Sequence, residues 1–257
     1  MAVLKEGENC WRISHADRAA FLIDCAAYFE SVADAIEQAQ TSVCISAWDI
    51  DSRIQLMRRS DTDADPQSLG PFLNAKTKRT RGLQVYVLAW DFPMLYVRER
   101  EWLPIFNLGW KTHQHIHFHL DDEHPIGASQ HQKLVVIDNR LAFCGGMDLS
   151  NSRWDTPQHE VEDPRRKDPN DKPYNPVHDL QMAVSGDAAA ALGELFSERW
   201  AMATGTPIDF QDSQSAEPWP KDLRPDLKDV KIAIARTLPA YKGRQEVREV
   251  QKLYSDG

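Results

Sequence analysis

The 257-residue sequence has no unbroken run of about 18 apolar residues, the minimum for a helix that crosses a membrane. Its first residues, MAVLKEGENCW, lack the apolar stretch of a secretory leader. Together these absences lead to the expectation of a cytoplasmic protein, at most peripheral to a membrane. Cysteine is scarce. Cys10, Cys25, Cys44 and Cys144 form no C-x-x-C pair, which argues against zinc-ribbon and thioredoxin patterns. They are expected to be reduced, with Cys44 and Cys144 packed as small buried hydrophobes. Positive charge is in deficit: 30 Lys and Arg against 39 Asp and Glu leave a net −9. Bulk-charge coating of nucleic acid is thereby disfavoured, but a locally basic pocket for an anion is not. The remaining composition, 42% hydrophobic and 27% charged, is that of a globular protein and excludes disorder and collagen-like repeats.

Along the chain, residues 16–40 carry apolar positions at three- and four-residue spacing (Phe21, Leu22, Cys25, Tyr28, Phe29, Val32, Ile36), which predicts an N-terminal helical segment over 1–40. Short apolar runs at 42–50, 83–90, 116–120, 133–138, 141–146 and 178–186 read as strands. A helix is expected from Leu69 to Gly82, and another over 187–200 with Asp187 as its N-cap. Asp138-Asn139-Arg140 reads as a tight turn. Residues 155–177, rich in Pro, Asp, Arg and Lys, read as a long exposed loop. The alternation implies an α/β protein, a mixed sheet flanked by helices on both faces. The main domain is expected over 41–202 and a Pro-containing linker over 203–229. The strand at 230–237 and the helix start after it, within 230–257, look like the opening of a second, truncated unit. No internal repeat is visible.

The chemistry concentrates in HQKLVVIDNRLAFCGGMDLSNSRWD (131–155). His131 and Lys133 stand two apart at the head of a strand, so both side chains project to one face. An imidazole beside a permanent cation suits attack on a phosphate ester: the ammonium neutralises non-bridging oxygens while the imidazole attacks phosphorus or moves a proton. Asp138 follows at the turn, where bonding to backbone amides competes with a catalytic role. Gly145 and Gly146 would let backbone amides approach a phosphate, with Asp148 and Ser150 beside them.

The pattern H-x-K-x-x-x-x-D, six residues, then G-G-x-D resembles the signature of the phospholipase D superfamily. Asp148 stands where many members have Asn, and LSNSRWDT and VHDLQMAVSGDAAAALGELFSERW resemble segments of the lipid-acting branches. The resemblance implies a metal-independent, cofactor-free phosphodiesterase fold. In it His131 would form a covalent phosphohistidine, Lys133 would clamp phosphate, and Asp179 would orient the nucleophilic imidazole. It also implies a second motif, which this sequence lacks. The partner would then be a second repeat, in the same longer chain or in a homodimer. A glycerophospholipid at a membrane surface is the expected substrate, and no stable nucleic-acid partner is expected. Alternatives are a cardiolipin synthase-like phosphatidyltransferase, a homodimeric nuclease-type phosphodiesterase and a non-catalytic half-domain.

Other residues carry weaker signals. His124, Trp48 and Trp154 are candidates to line the pocket. His113, His115, His117 and His119 alternate like a metal-binding face, yet no carboxylate or Cys sits at ligand spacing beside them, so no metal is expected. The basic stretches at 76–81 and 164–167 read as solvated rather than as headgroup contacts.

Overall fold

The computed structural model describes residues 3–58, 68–91, 113–211 and 216–256. One eight-stranded mixed sheet forms its centre. In chain order the strands are β1 (Arg12–Ile23), β2 (Ser42–Ala47), β3 (Gln84–Trp90), β4 (Ile116–Asp121), β5 (Leu134–Ile137), β6 (Leu141–Gly145), β7 (Leu180–Ser185) and β8 (Leu227–Ile234). Their spatial order is β4-β3-β2-β5-β6-β7-β1-β8. The pairs β2–β3 and β3–β4 are parallel, and all the other pairings in this sheet are antiparallel. Two short strands, β9 (Thr237–Leu238) and β10 (Val247–Arg248), pair separately.

The period-two alternation of the strands divides the core into two layers. Val43, Ile45, Val85, Val87, Val135 and Ile137 face helices α1 (Asp24–Gln38) and α2 (Leu69–Arg79). Cys44, Leu88, Leu134, Val136 and Ala142 face α3 (Asp187–Thr204). A final helix, α4, covers Glu249–Asp256. The α/β mixed sheet with helices on both faces is therefore as expected. Among the described residues no helix is long and apolar enough to cross a membrane.

The N-terminal expectation needs correction. Residues 12–23 are a strand, not a helix, and the helix begins only at Asp24. The helical spacing across the junction is accidental: Phe21 is 43% exposed and Leu22 is 2% exposed, on opposite faces of one strand. Pairing with β7 on one side and β8 on the other overrides the local pattern. Likewise the strand expected to open a second unit is an edge strand of this same sheet, paired with β1 from Arg12↔Ile234 to Ala19↔Leu227. Gly186, not Asp187, is the N-cap of α3.

Two further expectations fail for side-chain reasons. Arg166, in the presumed solvated loop, is 2% exposed. It bonds Asp155 and the carbonyls of Glu160, Val161 and Tyr174, so the loop folds around a buried guanidinium. Lys76 is also buried and donates to the Glu37 carbonyl near the end of α1.

Asp138 is structural. At the β5–β6 turn its carboxylate accepts the amides of Gln40, Thr41 and Ser42 and the Thr41 hydroxyl, which fixes the entry to β2. Seven residues of nearly extended chain separate it from His131, on the order of 20 Å. Charge-assisted bonds of this kind contribute more than neutral ones, and the orphaned amides would add a penalty. Asp138→Ala should therefore lower unfolding free energy by about 2–4 kcal/mol, read as a lower urea midpoint, while the NMR titration of His131 stays unchanged.

Candidate active site

His131 and Lys133 lie just before β5, where the chain enters the sheet. Lys133 is 6% exposed, whereas the His131 ring is exposed. The Lys133 ammonium lies 3.3 Å from Asp148 Oδ2 and donates to the His131 carbonyl at 3.3 Å. It also stands 5.7 Å from the Trp48 ring centre, and that indole meets the His131 ring edge-on at 5.8 Å. Trp48 stacks on Trp90 at 5.4 Å, and Trp90 Nε1 donates to His124 Nε2 at 2.8 Å. Trp48 and His124 thus belong to the site.

A cleft of about 410 Å³ opens at these residues. His124, His131, Lys133, Cys144 and Gly145 line it, together with residues 234–239 and Val250. Cys144, expected inside, is an exposed cleft residue because it lies near the open end of β6. Trp154 is not brought to this cleft. It is buried against the core, with the guanidinium groups of Arg58 and Arg165 at 5.1 and 5.0 Å from its ring.

The electrostatics follow from burial. Burial, and then the neighbouring Lys133 charge, push the His131 pKa below the ordinary histidine value. The free ring is therefore neutral and nucleophilic at pH 7. Burial also pushes Lys133 down, against the attraction of Asp148, and pushes Asp148 up, against the attraction of Lys133. Desolvation thus strains a pair that neither member could leave cheaply. Asp148 Oδ1 accepts the Trp48 amide at 3.0 Å. Its two oxygens hold Lys133 and the end of β2, so both are engaged within the protein rather than left open to the cleft.

The glycine pair has a different reason from the expected one. The Gly146 amide donates to the Leu180 carbonyl, and the Gly145 amide meets the Lys133 carbonyl at 3.4 Å. Neither amide is left for a phosphate. A Cβ on Gly145 would come within 2.4 Å of the Leu180 carbonyl oxygen, and one on Gly146 within 2.2 Å of Asp179 Oδ1. Glycine is required here because β7 and the Asp179 carboxylate occupy that space.

Asp179 also departs from expectation. Its Oδ1 accepts the Leu180 amide at 2.7 Å, and among the described residues no hydrogen bond joins it to His131. The carboxylate nevertheless lies close enough to act on the Lys133 charge. Its backbone is fixed by Asp24: the Asp179 amide donates to Asp24 Oδ1 and the Asp24 amide donates to the Asp179 carbonyl. Sequence reasoning missed Asp24, Asp155 and His159, which surround this point. The one signal was the strand-to-helix junction at Asp24, whose φ of +65° is unusual outside glycine.

A mixed sheet that sets a neutral imidazole and a buried ammonium at the mouth of a cleft defines a domain suited to binding and attacking a tetrahedral oxyanion. Residues 111–223 match the family model described as phospholipase D. Phospholipase D gamma 1 of Arabidopsis thaliana is 31% identical over 222 residues, covering 68% of this chain and 25% of that protein. Phospholipase D zeta 1 of the same plant is 27% identical over 270 residues, covering 91% and 22%. Among solved structures, a phosphatidylserine synthase from Haemophilus influenzae Rd KW20 aligns with TM-score 0.49 and 12% identity, covering 95% of this chain and 54% of that one. The phospholipase D family member Nuc from Salmonella typhimurium aligns with TM-score 0.40 and 15% identity, covering 72% and 95%. The chain carries an HKD repeat of the phospholipase D superfamily. It spans about a quarter of the length of these Arabidopsis relatives.

The pairing of charge and ring is testable by titration. In the double variant Lys133→Gln/Asp148→Asn the buried pair is neutral and nearly isosteric. His131 should then titrate at a higher pH than in the parent, since a nearby cation no longer opposes protonation. It should stay below about 6.5 because burial remains. Proton NMR of the imidazole reads the midpoint; an unmoved midpoint would show that the ring does not feel Lys133.

Proposed function

We propose that this chain supplies one half of a phospholipase D-type active site that cleaves a phosphodiester, with a glycerophospholipid as substrate. The observation that carries this reading is the exposed, neutral His131 beside the buried Lys133 at the lip of the cleft. A nitrogen of His131 attacks phosphorus, and the bond to the headgroup oxygen breaks. The leaving alkoxide takes a proton from an acid supplied by a second repeat. Water, or an acceptor alcohol, then displaces the phosphohistidine and regenerates the ring. Lys133 neutralises the non-bridging oxygens as charge gathers there. Asp179 tempers the same field from across Gly146.

A site shared with a second repeat is supported by the single H-x-K-x-x-x-x-D motif of this sequence, which supplies one imidazole where the proposed reaction uses a nucleophile and a separate acid. The net charge of −9 favours a lipid over a nucleic acid.

The test uses the longest natural polypeptide that contains this chain, with short-chain phosphatidylcholine as substrate. Release of choline is expected, together with an acid-labile phosphoryl adduct on the His131 peptide in quenched samples. His131→Asn should lower turnover at least about a thousandfold while the protein still melts cooperatively. Undiminished turnover in that variant would overturn the assignment. Faster cleavage of DNA than of lipid would shift it to the nuclease-type reading, and transfer to glycerol-type acceptors would shift it to the phosphatidyltransferase reading.

A further inference from the structure

Next to the Asp179 peptide, three side chains converge that the proposed reaction does not use. Asp24 is 1% exposed, and its Oδ2 is fully buried without a hydrogen-bond partner. His159 Nε2 lies 3.4 Å from that oxygen, and His178 Nδ1 lies 2.9 Å from Asp24 Oδ1. One ligand atom from each residue falls within 4.8 Å of the others. We infer that Asp24, His159 and His178 form a binding site for a divalent cation of the zinc class.

The chemistry of the donors supports this. Two imidazole nitrogens and one carboxylate, with a position open to water, are a favoured set for zinc. Bond lengths near 2.0–2.1 Å in a tetrahedral shell put neighbouring donors about 3.3 Å apart, close to the Asp24–His159 separation. His159 is also oriented for the task. Its Nδ1 lies 3.2 Å from Asp155 Oδ2, and a carboxylate on that nitrogen leaves the Nε2 lone pair aimed at Asp24. Asp155 is itself fixed by the amides of Thr156 and Val177 and by Arg166. The cluster thus has an outer layer that holds the ligand ring in register. The open side is accessible, since the His178 side chain is 70% exposed. A cation here would join the start of α1 to the loop at 155–177 and to the peptide of Asp179.

The competing account is a purely ionic one, with a protonated His159 held between Asp24 and Asp155. Zinc titration of the chelator-stripped full chain by calorimetry separates the two. One equivalent is expected to bind saturably, and Co²⁺ should show the visible bands of a tetrahedral site. His178→Ala removes an exposed ligand without disturbing the core and should weaken zinc binding at least about tenfold. Asp24→Asn should do the same. His15→Ala is the control, because His15, Asp17 and Asp229 form a second, exposed cluster on the same chain; it should leave the affinity unchanged. Absence of saturable binding, binding that survives His178→Ala, or binding lost with His15→Ala instead would each overturn the site.

Discussion

The site depends on keeping one ammonium group charged inside a protein. Lys133 sits with its neighbour Asp148 at the point where the strands β2 and β5 and the loop after β6 meet. Removing one member of such a buried pair leaves an uncompensated charge, a loss on the order of 3–5 kcal/mol. Asp148 is in turn anchored by the backbone at Trp48, so the cation is tied to the end of a central strand rather than to a mobile loop. Burial pulls both partners toward neutrality. The Asp179 carboxylate adds a second negative field that favours the charged ammonium. A carboxylate in place of the amide common in the family keeps Lys133 balanced when no substrate is present.

The same crowding explains the glycine pair and Asp179. Where β6 runs out beside β7, the strands and the Asp179 carboxylate approach so closely that no side chain fits at positions 145 and 146. The motif glycines are thus a consequence of packing β7 and the Asp179 carboxylate against the end of β6. A double glycine after a strand suggests free amides for an anion; here both amides are already committed to carbonyls.

The sheet, the three main helices and the His131–Lys133 pair were legible because each rests on a local rule: apolar runs for β2, β3 and β5, and alternation for two residues at a strand head. What was not legible rests on partners far apart in sequence. Residues 12–23 satisfy a helical period by coincidence and are strand only because β7 and β8 flank them. Asp138 matches a catalytic motif position, but its carboxylate is claimed by amides nearly a hundred residues earlier in the chain. Arg166 reads as a solvated basic residue until the loop that it organises is seen to close around it. Asp24, His159 and His178 lie too far apart in sequence for any spacing rule to join them.

The contrast between His131 and Lys133 is the last step. A clamp benefits from burial, because a field acts more strongly at low dielectric. A nucleophile must instead reach an atom that arrives from outside. Adjacent positions of one alternating segment would ordinarily share an environment on the same face, and here they do not. The difference arises at the strand end: Lys133, directly before the first residue of β5, packs beside Trp48 and Asp148, while His131, two residues farther out, is exposed at the cleft. The strand end that buries the cation is therefore the same feature that leaves the imidazole exposed.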